Sequence, residues 1–564
     1  MISIPSSKSS RRVARSCAAA LVLILAPALV DAQRSVAPVH DSRVATVNTR
    51  AALPVVREQT ADQQIMQVLN RLAFGPRPGD VARVRAMGVD AWIDRQLRPE
   101  RIDDSAMDEL LARYPLMQQD QNALAEQYAQ TQRQSRRARR DTAMQKSAGA
   151  AGLDGLKQAR RSRAQLLGEI ESARVARAVA SDRQLLEVMT DFWENHFNVF
   201  AGKNAVEPYY LTDYDRVVRE HALGKFRDLL GAVAHSPAML VYLDNARSRA
   251  NPEPDMPSAK KNGLNENYGR ELMELHTLGV DGGYTQKDVI EAARALTGWT
   301  VRPPAQGGGF IFRPQWHDAG EKVFLGHRLA AGRGEQDGEE VLDVLARSPA
   351  TAHFVAHKLA QRLVSDSPST ALVDAAARTY IRTDGDIREV VRTIVTSPEF
   401  FSSRAYHAKV KSPFEVVVSA ARALGATPDT TPRTALAVAR LGQPVFGHRD
   451  PNGWPESGDS WMNTGAILNR INFGLAVAAN RLPGATLNTW PGADALSIAP
   501  RAAQVDAVVS SILGGAASPD TRKILMSGEH PLAADAAQQA GAPQLTGLAQ
   551  VVGLALGSPE FQRR

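Results

Sequence analysis

Apolar residues recur at helical spacing along most of the chain from residue 61 onward. Val68, Leu69 and Leu72 would share one face of a helix, and Gly75-Pro76 then breaks the pattern. Strand patterns are sparse, and two short apolar runs at 309–312 and 322–325 would pair as one hairpin. The sequence therefore predicts a mainly α, large multi-helix globular fold with at most a small β-hairpin.

Ser-Pro pairs follow several of the predicted helices. Proline disfavours helix at the residue before it and suits the first position of the next helix, where serine is a good cap. Each pair is therefore predicted to join two helices. The serines of these pairs are Ser236, Ser348, Ser397, Ser412 and Ser558.

The first 32 residues have the pattern of a secretory signal peptide. Basic residues precede an apolar stretch at 18–29, which is too short to span a bilayer comfortably, and Ala32 ends a small-residue cleavage site. We therefore expect an exported protein, periplasmic or extracellular, with no transmembrane segment after cleavage. Sec and twin-arginine export both remain open.

Residues 33–60 are predicted as a flexible leader, and the rest of the chain as three helical parts. The predicted parts are an N-terminal helical lobe at 61–300 with a basic insertion at 118–178, a middle helical segment at 301–404 and a C-terminal helical segment at 405–564.

Charge is concentrated in the basic insertion. The chain has a net charge of +7, and residues 118–178 contain 12 basic and six acidic side chains. The insertion is interpreted as a solvated helical hairpin or a poorly ordered segment, with a polyanion-binding surface as the alternative. No aromatic residue lies between its arginine runs at 136–140 and 160–163, so no nucleic-acid partner is expected. The single cysteine, Cys17, excludes disulfides and cysteine-ligated metal sites.

Several ordered motifs resemble the bacterial family catalogued as domain of unknown function 1800 (DUF1800). They are the run Asn265-Glu266-Asn267-Tyr268-Gly269-Arg270-Glu271-Leu272-Met273-Glu274-Leu275-His276, Phe192-Trp193-Glu194-Asn195-His196-Phe197, His317-Asp318 with Lys322, Lys411-Ser412-Pro413, Leu441-Gly442-Gln443-Pro444 and Pro451-Asn452-Gly453-Trp454-Pro455. The resemblance implies an exported, mostly helical protein without an established activity. It also implies a partner from another exported family, DUF1501.

Three residues of these motifs are candidate catalytic residues. Glu271 flanks the apolar stripe of a predicted helix, and a partly buried carboxylate needs a partner or a raised pKa. His276 lies near the end of the same helix, and His196 lies between aromatic residues. The alternative is that Glu271 and His276 bond to helix ends and that His196 is a satisfied core histidine.

Glu274, His317 and Asp318 are candidate metal ligands. Together with the three catalytic candidates they would form one His/carboxylate pocket for a divalent metal that activates water. No spacing among them is diagnostic of a metal site, and the cofactor stays unknown. His317 and Asp318 would equally fit a turn.

Two other segments have a distinctive composition. Trp454 and the nearby Trp461 lie in an aromatic-rich loop that would stack sugars or a partner, or pack parts of the fold together. The glycines at 307–309 lack the Lys-Ser/Thr of a phosphate-binding loop.

The function is therefore unknown from sequence, with two hypotheses of different class. The first is a metal-assisted hydrolase with a His/carboxylate pocket. The second is a non-enzymatic binding or assembly module for the exported partner. Convergence of His196, Glu271 and His317 in a cleft would favour the enzyme. Scattered positions with an exposed apolar patch would favour the module.

Overall fold

The computed structural model describes residues 57–144, 149–250, 263–428, 430–529 and 545–564, with the side chains of 138–144 and 149–156 excepted. The predicted signal peptide at 1–32 and all but the last residues of the predicted leader at 33–60 lie outside these residues. Both stay predictions. In the part of the chain that the structure describes, no helix is long and apolar enough to cross a membrane.

The fold is mainly α, as the sequence predicts. The α-helices are α1 Ala61–Arg71, α2 Asp80–Met87, α3 Val89–Gln96, α4 Ser105–Leu111, α5 Gln121–Met144, α6 Gly149–Ala180, α7 Gln184–His196, α8 Leu211–His221, α9 Phe226–His235, α10 Pro237–Tyr242, α11 Asn267–Glu274, α12 Gln286–Ala295, α13 Gln336–Ala346, α14 Pro349–Leu363, α15 Thr370–Arg382, α16 Ile387–Val395, α17 Pro413–Ala423, α18 Arg433–Arg440, α19 Thr464–Ala478, α20 Ala493–Ser497, α21 Arg501–Ser511, α22 Pro519–Ser527 and α23 Gly547–Gly557. Short 3₁₀ helices lie at Pro99–Arg101, Pro115–Gln118, Glu207–Tyr209, Asn245–Arg247, Pro304–Gln306, Pro314–Trp316, Gly458–Trp461 and Leu487–Thr489.

The described strands form two small antiparallel pairs rather than one hairpin. Strands β1 Trp299–Val301 and β2 Phe310–Phe312 pair with each other, as do β3 Lys322–Phe324 and β4 His327–Leu329. The prediction that 309–312 pairs with 322–325 is therefore wrong. The local turn decides the pairing, because Leu325 and Gly326 both have positive φ and reverse the chain directly after β3.

Two of the five Ser-Pro pairs join two helices as predicted, at Ser236 between α9 and α10 and at Ser348 between α13 and α14. Ser412 begins α17 and forms a full capping box with Glu415, but no helix directly precedes it, since α16 ends at Val395. The pairs at 397 and 558 follow a helix and lead into turns instead. Each Ser-Pro pair therefore marks a helix boundary, on one side or on both.

The described residues belong to one compact unit that begins at Val55. A single apolar core includes buried side chains from each predicted part of the chain, for example Leu69, Leu342 and Val551. The division of this unit at residues 300 and 404 stays a prediction.

The segment 118–178 forms most of the two long helices α5 and α6. Helix α6 buries Leu166 and Ile170 in the common core and contacts α17 and α18. The C-terminal part of the basic segment therefore packs in the common core. The side chain of Arg174 in this part is only 9% exposed.

Helices α19 and α23 approach each other closely through glycine. A Cβ at Gly474 would lie 2.7 Å from the carbonyl oxygen of Gly553 and 3.0 Å from the amide nitrogen of Gly557. Both neighbouring atoms belong to the backbone and have little freedom to move. The distance between the two helices is thus set by the absence of a side chain at residue 474.

We expect Gly474→Ala to destabilise the protein by about 1–3 kcal/mol, because the added methyl group forces α19 and α23 apart. The matched variant is Gly465→Ala in the same helix, where the glycine is exposed and a Cβ would meet only the Asn463 side chain at 3.5 Å. This variant should be neutral or more stable by up to about 1 kcal/mol. Urea denaturation of both measures the difference. Equal effects would contradict the close packing.

Candidate functional site

His196 and His276 lie together in the apolar core. The Nε2 of His196 is 3.0 Å from the backbone carbonyl oxygen of His276, and the two ring centroids are 6.3 Å apart. Aromatic rings surround the pair, including those of Trp193 and Phe197. Burial lowers the pKa of His276 to about 3, and burial next to Lys358 lowers that of His196 well below its usual value. Both rings are therefore neutral.

Glu271 and Glu274 occupy the last turn of α11 and are half-buried. Burial, together with the neighbouring charge of Glu274, raises the pKa of Glu271. The hydroxyl group of Tyr284 lies 3.4 Å from a carboxylate oxygen of Glu274.

His317 and Asp318 belong to a separate polar cluster. His317 bonds through Nδ1 to the Thr297 carbonyl oxygen at 2.9 Å and through Nε2 to Asp337 at 3.2 Å. The ammonium group of Lys322 is 2.7 Å from the same carboxylate oxygen of Asp337. Asp318 forms a two-point ion pair with Arg294 instead.

The six predicted site residues are thus found in three separate places. His196 lies with His276, Glu271 with Glu274, and His317 with Asp318. Within the described ranges there is no cluster of three or more His, Cys, Asp or Glu side chains that could hold a metal ion. The catalytic and metal-binding roles of these six residues stay predictions.

A different place in the fold combines charge, aromatic rings and open space. It is a cavity of about 50 Å³ between α6, α7, α14, α17 and the loops at 441–446 and 454–461, and we call it the charged cavity. Its lining includes three arginines, four carboxylates and two tryptophans: Arg174, Arg362, Arg564, Asp191, Glu194, Glu415, Glu456, Trp454 and Trp461.

The end of α7 and the 451–455 loop are locked together at this cavity. The side-chain amide of Asn195 donates to the Trp454 carbonyl oxygen at 2.8 Å, and its oxygen accepts from the Trp454 amide at 2.6 Å. Gly453 has a φ of +71°, and a Cβ there would lie 2.2 Å from the Asn195 carbonyl oxygen. Glycine is therefore required for the loop to sit this close to the helix.

The 441–446 loop and the start of α17 form a second wall. The Gln443 side-chain oxygen accepts from the Phe414 amide at 2.9 Å. The Glu415 carboxylate accepts from the Ser412 amide at 2.8 Å and thereby completes the capping box. The capping box at the start of α17 therefore also forms part of the cavity wall.

The interior of the charged cavity is organised around Arg362. Its Nη2 lies 3.0 Å from Asp191 and 3.1 Å from Glu415, and its Nη1 lies 3.4 Å from Glu456. The Nε of Arg564 is 3.0 Å from the same oxygen of Glu415. One guanidinium group from α14 therefore ties together α7, α17 and the 454–461 loop.

Arg174, on α6, forms a second set of ion pairs in the lining of the cavity. Its two Nη atoms lie 3.0 Å from Asp191 and 2.5 Å from Glu194, so one arginine of α6 spans two carboxylates one helical turn apart on α7. Beyond Glu194, the buried carboxylate of Asp215 pairs with Arg177 at 2.7 Å.

The pKa values of the carboxyl groups in the charged cavity are shifted in opposite directions. Burial raises the pKa of Glu194 well above its usual value, and the attraction of Arg174 offsets this only in part. Burial would also raise the pKa of Glu415, but Arg564 and Arg362 lower it to about 2. The pKa of Glu456 is lowered in a similar way, because Arg362 and Lys409 outweigh its burial. One cavity therefore holds a carboxyl group with a raised pKa beside two with lowered pKa values.

Comparison with known proteins identifies a family. The family model described as a protein of unknown function, DUF1800, matches residues 67–563. The chain belongs to the DUF1800 family. No curated protein and no solved structure matches it. The motifs that carried the resemblance to DUF1800 at 192–197, 411–413, 441–444 and 451–455 all reach the charged cavity.

Most of this site in the DUF1800 chain was not predictable from the sequence. Glu194, Asn195 and Trp454 lie within recognisable motifs, but the motifs assign no chemistry to the first two. Arg174 and Arg362 are single arginines within long helices. The available signal was an arginine among apolar neighbours, since a buried arginine needs a carboxylate partner.

We expect the protein to lose stability in acid partly through Glu415. A carboxyl group with a pKa of about 2 when folded and 4.5 when unfolded stabilises the fold above pH 4.5. That contribution, about 3 kcal/mol, is lost as the pH falls toward 2. Urea denaturation at pH 7, 5 and 3 should therefore show a gap between wild type and Glu415→Gln that narrows only below pH 4.5. The exposed Glu220→Gln is the control, and a gap independent of pH would contradict the prediction.

Proposed function

We propose that the protein is a hydrolase that acts at the charged cavity on a neutral, hydroxyl-rich substrate of the sugar class. The observation that carries the proposal is a pair of carboxyl groups in the lining of the same cavity, Glu194 with a raised pKa and Glu456 with a lowered pKa. Two carboxyl groups with separated pKa values are the arrangement that supplies a general acid and a general base.

The proposed reaction uses both groups on one C–O bond. Glu194 would donate its proton to the leaving oxygen as the bond breaks. Glu456 would accept a proton from the water whose oxygen bonds to the same carbon. One oxygen of Glu456 is 3.4 Å from Arg362, which favours the ionised form that a base needs.

Aromatic rings beside the cavity support a sugar-type substrate. Trp454 and Trp461 are only partly buried, and their ring centroids lie 5.9 Å apart. His448 packs against Trp454 at 4.5 Å. Such rings can cover the apolar face of a sugar, while the cavity behind them accepts a small polar group.

Charge balance supports a neutral substrate. The lining contains the three arginines Arg174, Arg362 and Arg564 against four carboxyl groups, one of which, Glu194, has a raised pKa. The positive and negative charges of the lining therefore differ by about one at most. A charged ligand would therefore add an unpaired buried charge, whereas hydroxyl groups can bond to both arginine and carboxylate.

We also propose that this activity is exercised outside the cytoplasm. The support is the signal-peptide pattern at 1–32 and its apolar stretch at 18–29. A DUF1501 protein is proposed as the partner, supported by the resemblance to DUF1800 on which that expectation rests.

A panel of 4-methylumbelliferyl glycosides tests the function. We expect hydrolysis of at least one glycoside, with kcat lowered at least about 100-fold in Glu194→Gln and in Glu456→Gln. The wild-type rate should rise as Glu456 ionises below pH 4.5 and fall at the higher pH where Glu194 loses its proton.

Glu220→Gln, an exposed carboxylate on α8, is the matched control and should leave kcat unchanged. Unchanged turnover in the two cavity variants would refute the assignment. Binding of the corresponding sugars without turnover by the wild-type protein would favour the non-enzymatic binding module instead.

A further inference from the structure

A second and larger cavity lies away from the charged cavity. It has a volume of about 710 Å³ and is bordered by α5, the 3₁₀ helix Asn245–Arg247, strand β1 and Trp316. This volume falls in the range of small-molecule sites. We call it the arginine cleft, because six arginines line it: Arg133, Arg136, Arg247, Arg249, Arg302 and Arg313.

The charge of the arginine cleft is one-sided. Its described lining includes no aspartate or glutamate. Across the residues that the structure describes, no carboxylate forms an ion pair with five of the six guanidinium groups, those of Arg133, Arg136, Arg247, Arg302 and Arg313. The described lining of the cleft therefore contains several positive charges with no carboxylate among them.

Aromatic stacking orients two of these arginines. The Arg249 guanidinium carbon lies 3.5 Å from the Trp316 ring centroid, and that of Arg313 lies 4.9 Å from it. The Nε of Arg313 is buried and has no hydrogen-bond partner among the described residues. Stacking leaves the in-plane donors of Arg313 available to an anion.

The glycines at 307–309 hold one rim of the arginine cleft. The Gly308 carbonyl oxygen accepts from the Gln121 side chain at 3.0 Å, and Gly307 and Gly308 both have positive φ. A Cβ at Gly308 would lie 2.7 Å from that of Ala125 on α5. These glycines therefore let the loop that carries Arg302 pack against α5, a role unrelated to a phosphate-binding loop.

We infer that the arginine cleft binds a compact polyanion of small-molecule size that carries two or more phosphate or carboxylate groups. Guanidinium groups form two-point hydrogen bonds with both kinds of group. The arginines come from separate elements, such as Arg133 on α5 and Arg302 after β1, so more than one anionic group is needed to pair with all of them. The face of Trp316 is already covered by Arg249, which disfavours base stacking and hence a nucleic acid.

Calorimetric titration of the full chain with tripolyphosphate and with citrate tests this site. The variant Arg247→Gln/Arg302→Gln removes two exposed guanidinium groups, so its fold should be unaffected. We expect the wild type to bind at least one of the two anions at low salt, with affinity at least tenfold lower in the variant. Tighter binding of tripolyphosphate identifies a phosphate ligand, and tighter binding of citrate identifies a carboxylate ligand.

The matched control is Arg404→Gln/Arg440→Gln, which removes two exposed arginines outside the cleft and changes the net charge equally. It should bind as the wild type does, and so should Glu456→Gln. Equal weakening in the control, or no binding of either anion to the wild type, would overturn the inference. A single-stranded oligonucleotide that binds tenfold more tightly than tripolyphosphate would also overturn it, in favour of a nucleic acid.

Discussion

A buried guanidinium group that serves three carboxylates is the constraint on which the site depends. Arg362 is 3% exposed, and a charge in that position is tolerated only when it is paired. Its partners Asp191, Glu415 and Glu456 come from α7, α17 and the 454–461 loop, so none of these elements can shift without leaving a charge unpaired. The same interaction therefore fixes the walls of the charged cavity and the protonation of its carboxyl groups.

A network of buried ion pairs adds little to the stability of a core. Well-packed apolar residues would stabilise the fold as much or more, because desolvation offsets much of the attraction between buried charges. The network also supplies what an apolar core lacks, two carboxyl groups whose pKa values are shifted in opposite directions, upward for Glu194 and downward for Glu456. The arginine cleft shows the opposite arrangement, since five of its six guanidinium groups have no carboxylate partner among the described residues. The fold thus contains one charge-balanced polar site and one unbalanced site.

The helices were predictable because their signals are local. The apolar spacing around Val68 and the capping box at Ser412 each lie within a few residues. The site was not predictable in the same way, because its decisive contacts join distant positions, such as Asn195 with Trp454, 259 residues apart. The family motifs indicated residues in the walls of the charged cavity. The arginines that line the cavity cannot be told apart in the sequence from other arginines in helices. The predicted pairing of 309–312 with 322–325 was wrong because the two-residue turn at 325–326 pairs β3 with the strand that directly follows it. The apolar composition of two separated segments did not decide the pairing.

Residues 562 and 564 affect the order in which the polar site can form. They form backbone hydrogen bonds with Lys411 and Lys409, and Arg564 is an ion partner of Glu415. Arg174, on the opposite wall, is synthesised 390 residues earlier. The carboxylate of Glu415 therefore gains one of its two guanidinium partners only after residue 564 has been synthesised. The helices around the polar site can form before the site is complete.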